Sequence, residues 1–398
     1  TGTFSGTADM TDLGVLPIKI TATDSGGLSA NISFNLTIAN MLTGSIYNDT
    51  INGTAGLDYI QAGAGNDTVN AGDGNDIVDG GAGSDVLAGG AGDDTFLVTG
   101  TDTGYDRFQG DAVYDTIQGS AGDDTVRVNN FSGSFTVEKI DGGLGANVIA
   151  GTQYNDTIDL SGTELVNIAN IDGEAGNDTI TGSAGNDTIT GGAGSDVLAG
   201  GAGDDTFIVT GTDTGYDRFQ GDAGYDVIQG GDGDDAIRIN NFSGAYTVEK
   251  IDGGLGSNVI AGTQYNDTVN LSGTELVNIA NIDGGAGNDT ITGSAGNDTI
   301  IGGAGSDVLA GGLGDDTFQI NGTDAGYDRF QGDAGYDVIQ GSDGDDTIRV
   351  NNFSGNYTVE KIDGGLGTNV IAGTQYNDTI DLSGTELVNI SSVDGGVG

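Results

Sequence analysis

Carboxylates return along this chain every nine residues, and that spacing is the first feature in it that could do chemistry. Between residues 44 and 97 the run is unbroken: GSIYNDTIN, GTAGLDYIQ, AGAGNDTVN, AGDGNDIVD, GGAGSDVLA and GGAGDDTFL put Asp49, Asp58, Asp67, Asp76, Asp85 and Asp94 in one register. The phase continues through Asp106, Asp115, Asp124 and Asp156. It then runs through Asp178, Asp187, Asp196, Asp205, Asp217, Asp226, Asp235 and Asp267, and through Asp289, Asp298, Asp307, Asp316, Asp328, Asp337, Asp346 and Asp378. Asn147, Asn258 and Asn369 take the anchor position once each, and every anchor is followed two places on by Ile, Val, Leu or Phe.

In a unit written G-G-x-G-x-D-x-U-x, the first six positions make a glycine turn with positive φ and the last three a short strand whose eighth residue faces inward. Two units form one coil that turns at opposite edges, so Asp49, Asp67 and Asp85 stack on one edge and Asp58, Asp76 and Asp94 on the other, with backbones ~4.8 Å apart. Like charges stacked at that distance repel unless a cation lies between them. Carboxylate and carbonyl oxygens from two adjacent turns offer about six hard ligands, which suits Ca²⁺ better than Mg²⁺, an ion that keeps its water. The Asp residues named above are therefore the expected metal ligands, and calcium the expected cofactor. The three Asn turns, and the units TDTGYDRFQ, GDAVYDTIQ and GDAGYDVIQ with Tyr before Asp, are expected to hold it weakly or not at all.

The elements that position these groups must come from a chain with little else to fold around. Its 398 residues carry 60 acidic and 10 basic side chains and no His, a net charge of −50. Such a chain needs neutralising before it can become compact and is a poor partner for nucleic acid. With 78 Gly and 6% aromatics it would read as disordered, were it not for the phased apolar residues. The absence of Cys and His removes disulfides, thiolate sites, the usual zinc chemistry and His-based triads, so no enzyme is expected. No apolar run reaches the ~18 residues of a membrane span.

GSDVLAGG recurs at 83–90, 194–201 and 305–312, a constant shift of 111 residues. The organisation expected is entry units at 44–62, long repeats at 63–173, 174–284 and 285–395, and the start of another at 396–398, as in a piece of something longer. Within a copy the anchor intervals are mostly nine. Reading 23 as eighteen plus five and 22 as eighteen plus four gives eleven nominal units per copy with the extra residues in loops. Residues 1–43 differ: PIKITATDSGGLSANISFNLTI reads as two strands around Asp24-Ser25-Gly26-Gly27 and holds the chain's sole proline, Pro17. This segment resembles the last two strands of an incomplete immunoglobulin-like or cadherin-like domain. The fold class expected is all-β, a parallel β-roll or β-helix solenoid after a short antiparallel hairpin.

Over residues 44–395 the phased units, best seen in GGAGSDVLA at 80, 191 and 302 and GGAGDDTF at 89, 200 and 311, resemble the RTX proteins, the family of calcium-binding nonapeptide repeats. The resemblance implies a parallel β-roll with calcium between neighbouring turns, export by type I secretion and folding outside the cell. Tandem duplication lengthens a solenoid without making a unique cleft. It favours a structural region of a large secreted bacterial surface protein, an adhesin or biofilm-matrix fibre whose partners are calcium, further copies of itself or neighbouring surface polymers. A surface-layer lattice protein is the neighbouring reading, and the accessory calcium module of a secreted enzyme is the reading from another class. Among other polar residues, Glu138 and Glu164 are expected on solvent-facing strands, Tyr105, Tyr216 and Tyr327 against Phe108, Phe219 and Phe330, and Arg107, Arg127 and Lys139 beside acidic groups.

Overall fold

The computed structural model describes residues 14–23, 25–100, 104–111, 113–133, 137–211, 215–239, 241–242, 248–320, 326–354 and 359–397. Residues 1–13, Asp24 of the expected hairpin turn, Ala112, a short part of each 12-residue and 23-residue interval, and Gly398 lie outside them. All regular elements described are β-strands. The first two, Gly14–Thr23 and Ser29–Ile38, pair antiparallel from Thr23↔Ser29 to Gly14↔Ile38. Every later pairing within a unit is parallel.

Two compact units follow from the contact pattern: residues 1–152 with 157–171, and residues 153–156 with 172–398. In the first, one sheet contains Asn40–Thr43, Asp58–Ala64, Ile77–Ala82, Thr95–Leu97, Thr116–Gln118, Lys139–Asp141 and Glu164–Val166 in that order. A second sheet contains Thr50–Asn52, Thr68–Asp73, Val86–Ala91 and Arg107–Asp111. The register Thr50↔Thr68 and Thr68↔Val86 is the eighteen-residue coil expected from two nonapeptides.

Strand alternation sends the eighth residue of each unit inward. Ile60, Val78, Phe96, Ile117 and Ile140 from one sheet are wholly buried, as are Val69, Leu87 and Phe108 from the other to within 2%. Phe96 and Phe108 meet edge to face across this slab, their ring centroids 5.6 Å apart. Each such side chain contributes about 1.5–3 kcal/mol by leaving water, so the apolar layer resists splaying of the strands but leaves the polar turns to be stabilised separately.

The second unit repeats the plan and shows how one copy passes to the next. Strands Thr188–Thr190, Thr206–Ile208, Val227–Gln229, Lys250–Asp252 and Glu275–Val277 form a parallel run in one sheet, and Thr179–Thr181, Val197–Ala202 and Arg218–Ala223 form the other. A new sheet then starts at Ala236–Arg238 and continues through Asn258–Ala261 and Ile279–Asp283. Between these last two the chain also passes through Thr268–Asn270, in a further new sheet, and Glu275–Val277, in the old one, so the coil has three sides there. The 22-residue interval thus holds two additional strands rather than the single extra unit expected. Asn278 alone separates Glu275–Val277 from Ile279–Asp283, at φ 54°, which Asn tolerates better than most side chains.

Candidate metal centres

The anchor aspartates point into the turns, and most of them reach one coil back. Asp67 Oδ1 accepts the backbone N–H of Asp49 at 2.7 Å, Asp76 that of Asp58 at 2.8 Å and Asp94 that of Asp76 at 2.7 Å. The second unit does the same, with Asp178, Asp205, Asp289 and Asp316 accepting from Asp156, Asp187, Asp267 and Asp298. Ladders result: Asp49–Asp67–Asp85–Asp106 and Asp58–Asp76–Asp94–Asp115 in the first unit. In the second they are Asp156–Asp178–Asp196–Asp217, Asp187–Asp205–Asp226, Asp267–Asp289–Asp307–Asp328 and Asp298–Asp316–Asp337.

One carboxylate oxygen is thereby satisfied. The other divides the anchors. Oδ2 of Asp67, Asp76, Asp94, Asp115, Asp178, Asp205, Asp226, Asp289, Asp316 and Asp337 is buried and has no hydrogen-bond partner. A buried anionic oxygen without a donor costs several kcal/mol unless a positive charge meets it or a proton neutralises it. Burial pushes the carboxyls of Asp76, Asp94, Asp115, Asp178, Asp205, Asp226, Asp289, Asp316 and Asp337 up, against the backbone N–H they accept, and neighbouring carboxylates push further. Asp94, beside Asp76, Asp115 and Asp93, reaches about 7, and Asp76, Asp115, Asp178, Asp205, Asp289 and Asp316 reach about 6.

Carbonyl oxygens crowd the same space. A Cβ built on Gly284, the first residue of the Asp289 turn, would lie 2.6 Å from the carbonyl oxygen of Gly302 in the next coil and 2.7 Å from Asp289 Oδ2. Two acceptors therefore converge beside a glycine, with no donor between them. Among the described residues no three acidic side chains gather at one point, so a cation here must take backbone oxygens as well. Hard anionic and carbonyl oxygens drawn from adjacent turns are the donor set Ca²⁺ accepts.

The model of the RTX calcium-binding nonapeptide repeat matches at residues 43–78, 71–97, 101–132, 141–162, 172–207, 212–238, 252–273, 283–318, 323–354 and 363–384. The chain belongs to the RTX calcium-binding nonapeptide-repeat family. Its repeats bind calcium, several ions to a chain, and its β-roll is a structural calcium-binding fold of a kind found generally in secreted proteins. No curated relative matches the chain. No helix among the described residues is long and apolar enough to cross a membrane.

Several polar residues of this RTX roll escaped the nine-residue spacing. Glu138, expected to face solvent, instead continues a ladder: its Oε2 accepts the N–H of Asp115 at 2.8 Å, as Glu249 and Glu360 do for Asp226 and Asp337. Polar residues before many of the anchors build a second, outer ladder. Asn48 Oδ1 accepts the N–H of Asn66, Asn66 Oδ1 that of Ser84, and Ser84 Oγ that of Tyr105. Tyr105, expected against Phe108, has the Arg127 guanidinium over its ring at 5.8 Å, and the pair recurs as Tyr216 with Arg238 and Tyr327 with Arg349. Lys139 pairs with Asp141 at 3.0 Å, as expected of a cation beside acidic groups.

Proposed function

We propose that this chain is a calcium-stiffened structural region of a large secreted bacterial surface protein, an adhesin or biofilm-matrix fibre, in which the roll is a spacer and does no catalysis. The observation that carries this reading is the recurrence of the same buried, partnerless Asp Oδ2 through tandem copies, at Asp205 and Asp316 and at Asp226 and Asp337. A site repeated at each duplication serves length and stiffness, because every copy adds the same coils and the same charge to be neutralised.

The candidate ligands are the anchor carboxylates together with carbonyl oxygens of the adjoining turn. Bound calcium supplies positive charge where Oδ2 has no donor. The chain's own residues hold that oxygen in place: Oδ1 is fixed by the N–H one coil back, and the glycine at the turn's first position leaves room for both acceptors. Without calcium the acidic turns repel and the roll melts at low temperature, so that at growth temperature the open chain, a form suited to export by type I secretion, predominates. Outside the cell, an ion that binds only the folded form draws the equilibrium towards the roll.

Circular dichroism and small-angle scattering during an EGTA and Ca²⁺ titration test this reading. Calcium is expected to convert an expanded chain into a compact, β-rich one, reversibly. A β signal and a radius of gyration indifferent to chelation would defeat it. Ordered two-dimensional assembly on adding calcium would move the reading to a surface-layer lattice.

A further inference from the structure

Nine other anchors have a donor on Oδ2. In the Asp187 turn, Ser183 donates to that oxygen twice, from its backbone N–H at 2.6 Å and its hydroxyl at 2.9 Å. Ser294 does the same for Asp298, and Ser45, Thr54, Thr263 and Thr374 for Asp49, Asp58, Asp267 and Asp378. Ser120 and Ser342 donate their N–H to Oδ2 and their hydroxyl to Oδ1 of Asp124 and Asp346, and Gly231 gives Asp235 its N–H alone. In every case the donor is the second residue of the nonapeptide.

In the partnerless class that second residue has a left-handed backbone, which turns its N–H away from the carboxylate. Gly63, Gly72, Gly90, Gly201, Gly285 and Gly312 stand there with φ between 90° and 113°. Where the residue is not glycine the conformation persists: Asp111 at 87°, Glu174 at 71°, Asp222 at 68° and Asp333 at 67°. Asp visits this region more readily than most side chains, but Glu does so only at a cost, so the turn imposes it on Glu174. Gly81, Gly192 and Gly303, at 88°, 95° and 93°, place the Asp85, Asp196 and Asp307 turns in the same conformational class.

Resting on the calcium reading above, we propose that the second residue of each nonapeptide sorts the turns into two kinds. Turns with an Asp anchor and a left-handed second residue take calcium, while turns whose second residue donates to Oδ2 satisfy their own carboxylate and take none. The sealed turns are not scattered. Asp58 precedes Asp76, Asp94 and Asp115; Asp187 precedes Asp205 and Asp226; Asp267 precedes Asp289; and Asp298 precedes Asp316 and Asp337. Each of these ladders thus begins on a turn that needs no metal, the position where a repeat array requires a cap.

The test counts calcium bound at saturation by equilibrium dialysis of the full chain, with circular dichroism confirming the β-rich state. Asp205→Asn with Asp316→Asn is expected to lose two equivalents relative to the unsubstituted chain, and Asp187→Asn with Asp298→Asn none. Equal losses from the two pairs would overturn the proposal. Should the second pair fail to fold, Ser183→Ala with Ser294→Ala replaces it. An unchanged or higher count supports sealing, and a count lower by two means the hydroxyls are ligands and overturns it. An unsubstituted chain that binds no calcium would sink the parent reading, an outcome separate from either result.

Discussion

Asp298 and Asp316 stand one coil apart and share a hydrogen bond, the N–H of the first donating to Oδ1 of the second at 2.8 Å, yet their remaining oxygens meet opposite fates. Asp298 Oδ2 lies 2.7 Å from the N–H of Ser294, whereas Asp316 Oδ2 is buried without a partner. Two residues of one type, on one ladder and in one register, differ because the residue four places earlier is Ser294 in one turn and Gly312, at φ 106°, in the other. The inward carboxylate is therefore a fixed structural element, and its demand for positive charge is set locally.

Removing an anchor side chain strips the coil behind it of an acceptor. In Asp205→Ala the N–H of Asp187 loses its partner Oδ1, and a buried donor left unsatisfied costs about 1–3 kcal/mol. The calcium-saturated melting temperature is expected to fall accordingly. In EGTA the loss is expected to be smaller, because the same substitution also removes a buried, partnerless oxygen. Differential scanning calorimetry of both states reads the difference, and an equal fall in each would contradict it.

Acid should stabilise the metal-free roll, the reverse of ordinary aspartate behaviour. Burial and the neighbouring carboxyls raise Asp94 to about 7 and Asp76, Asp115, Asp178, Asp205, Asp289 and Asp316 to about 6, above the value of 3.8 expected in the open chain. A carboxyl with a raised folded-state value binds more protons folded than unfolded. Its stabilising effect is full below about 4 and is lost as pH rises through 6 to 7. In EGTA the melting temperature is expected to climb as pH drops from 8 towards 5, while calcium affinity weakens over the same span because protons compete for Oδ2. A metal-free melting temperature that falls on acidification would refute this.

The first glycine of an open turn leaves no room for a side chain. Gly284→Ala would bring a methyl group within 3 Å of both the Gly302 carbonyl oxygen and Asp289 Oδ2, so one of the two coils must move. Forced overpacking of this kind typically costs about 1–3 kcal/mol. Because both displaced atoms are acceptors facing the same space, calcium affinity measured by titration calorimetry is expected to drop along with melting temperature. A variant with reduced melting temperature and unaltered affinity would show that those oxygens are not ligands.

Periodicity made the fold readable. An Asp followed two places on by an apolar residue, repeated at nine, permits one short strand and one turn, and Ile60, Val69, Val78, Leu87 and Phe96 are indeed the buried row. It also brought out the ladder positions, because residues eighteen apart in a coil must be neighbours. What it could not supply depends on hydrogen bonds that only the folded turn makes. Ser183 and Gly201 are both small residues at the same position, and nothing in their spacing shows that one donates to an aspartate while the other turns its N–H away. Glu138 was hidden because the long interval breaks the count, although its backbone continues the strand stacked on Thr116–Gln118. Tyr216 meets Arg238 across coils, a neighbour that sequence distance conceals.

Asn258 shows what a turn does when its anchor brings its own donor. Its Oδ1 accepts the N–H of Asp235 at 2.9 Å, as an anchor Asp would, and its Nδ2 donates to the carbonyl oxygen of Asn278 at 3.0 Å. The amide hydrogen thus meets a carbonyl on the side where an aspartate would present a bare oxygen. Asn369 repeats the arrangement with Asn389 at 3.1 Å. Asn258→Asp converts that donor into an acceptor facing an acceptor. In EGTA the exchange is expected to cost about 1–3 kcal/mol, since a buried bond is replaced by a buried repulsion. Calcium should restore what is lost, because Gly254 already has the left-handed backbone of an open turn, at φ 75°. The variant is expected to bind one additional equivalent and to show a steeper dependence of melting temperature on calcium than the unsubstituted chain. If Asn258→Asp lowers stability equally with and without calcium, the amide has a purely structural role, and the space beside it is no metal site.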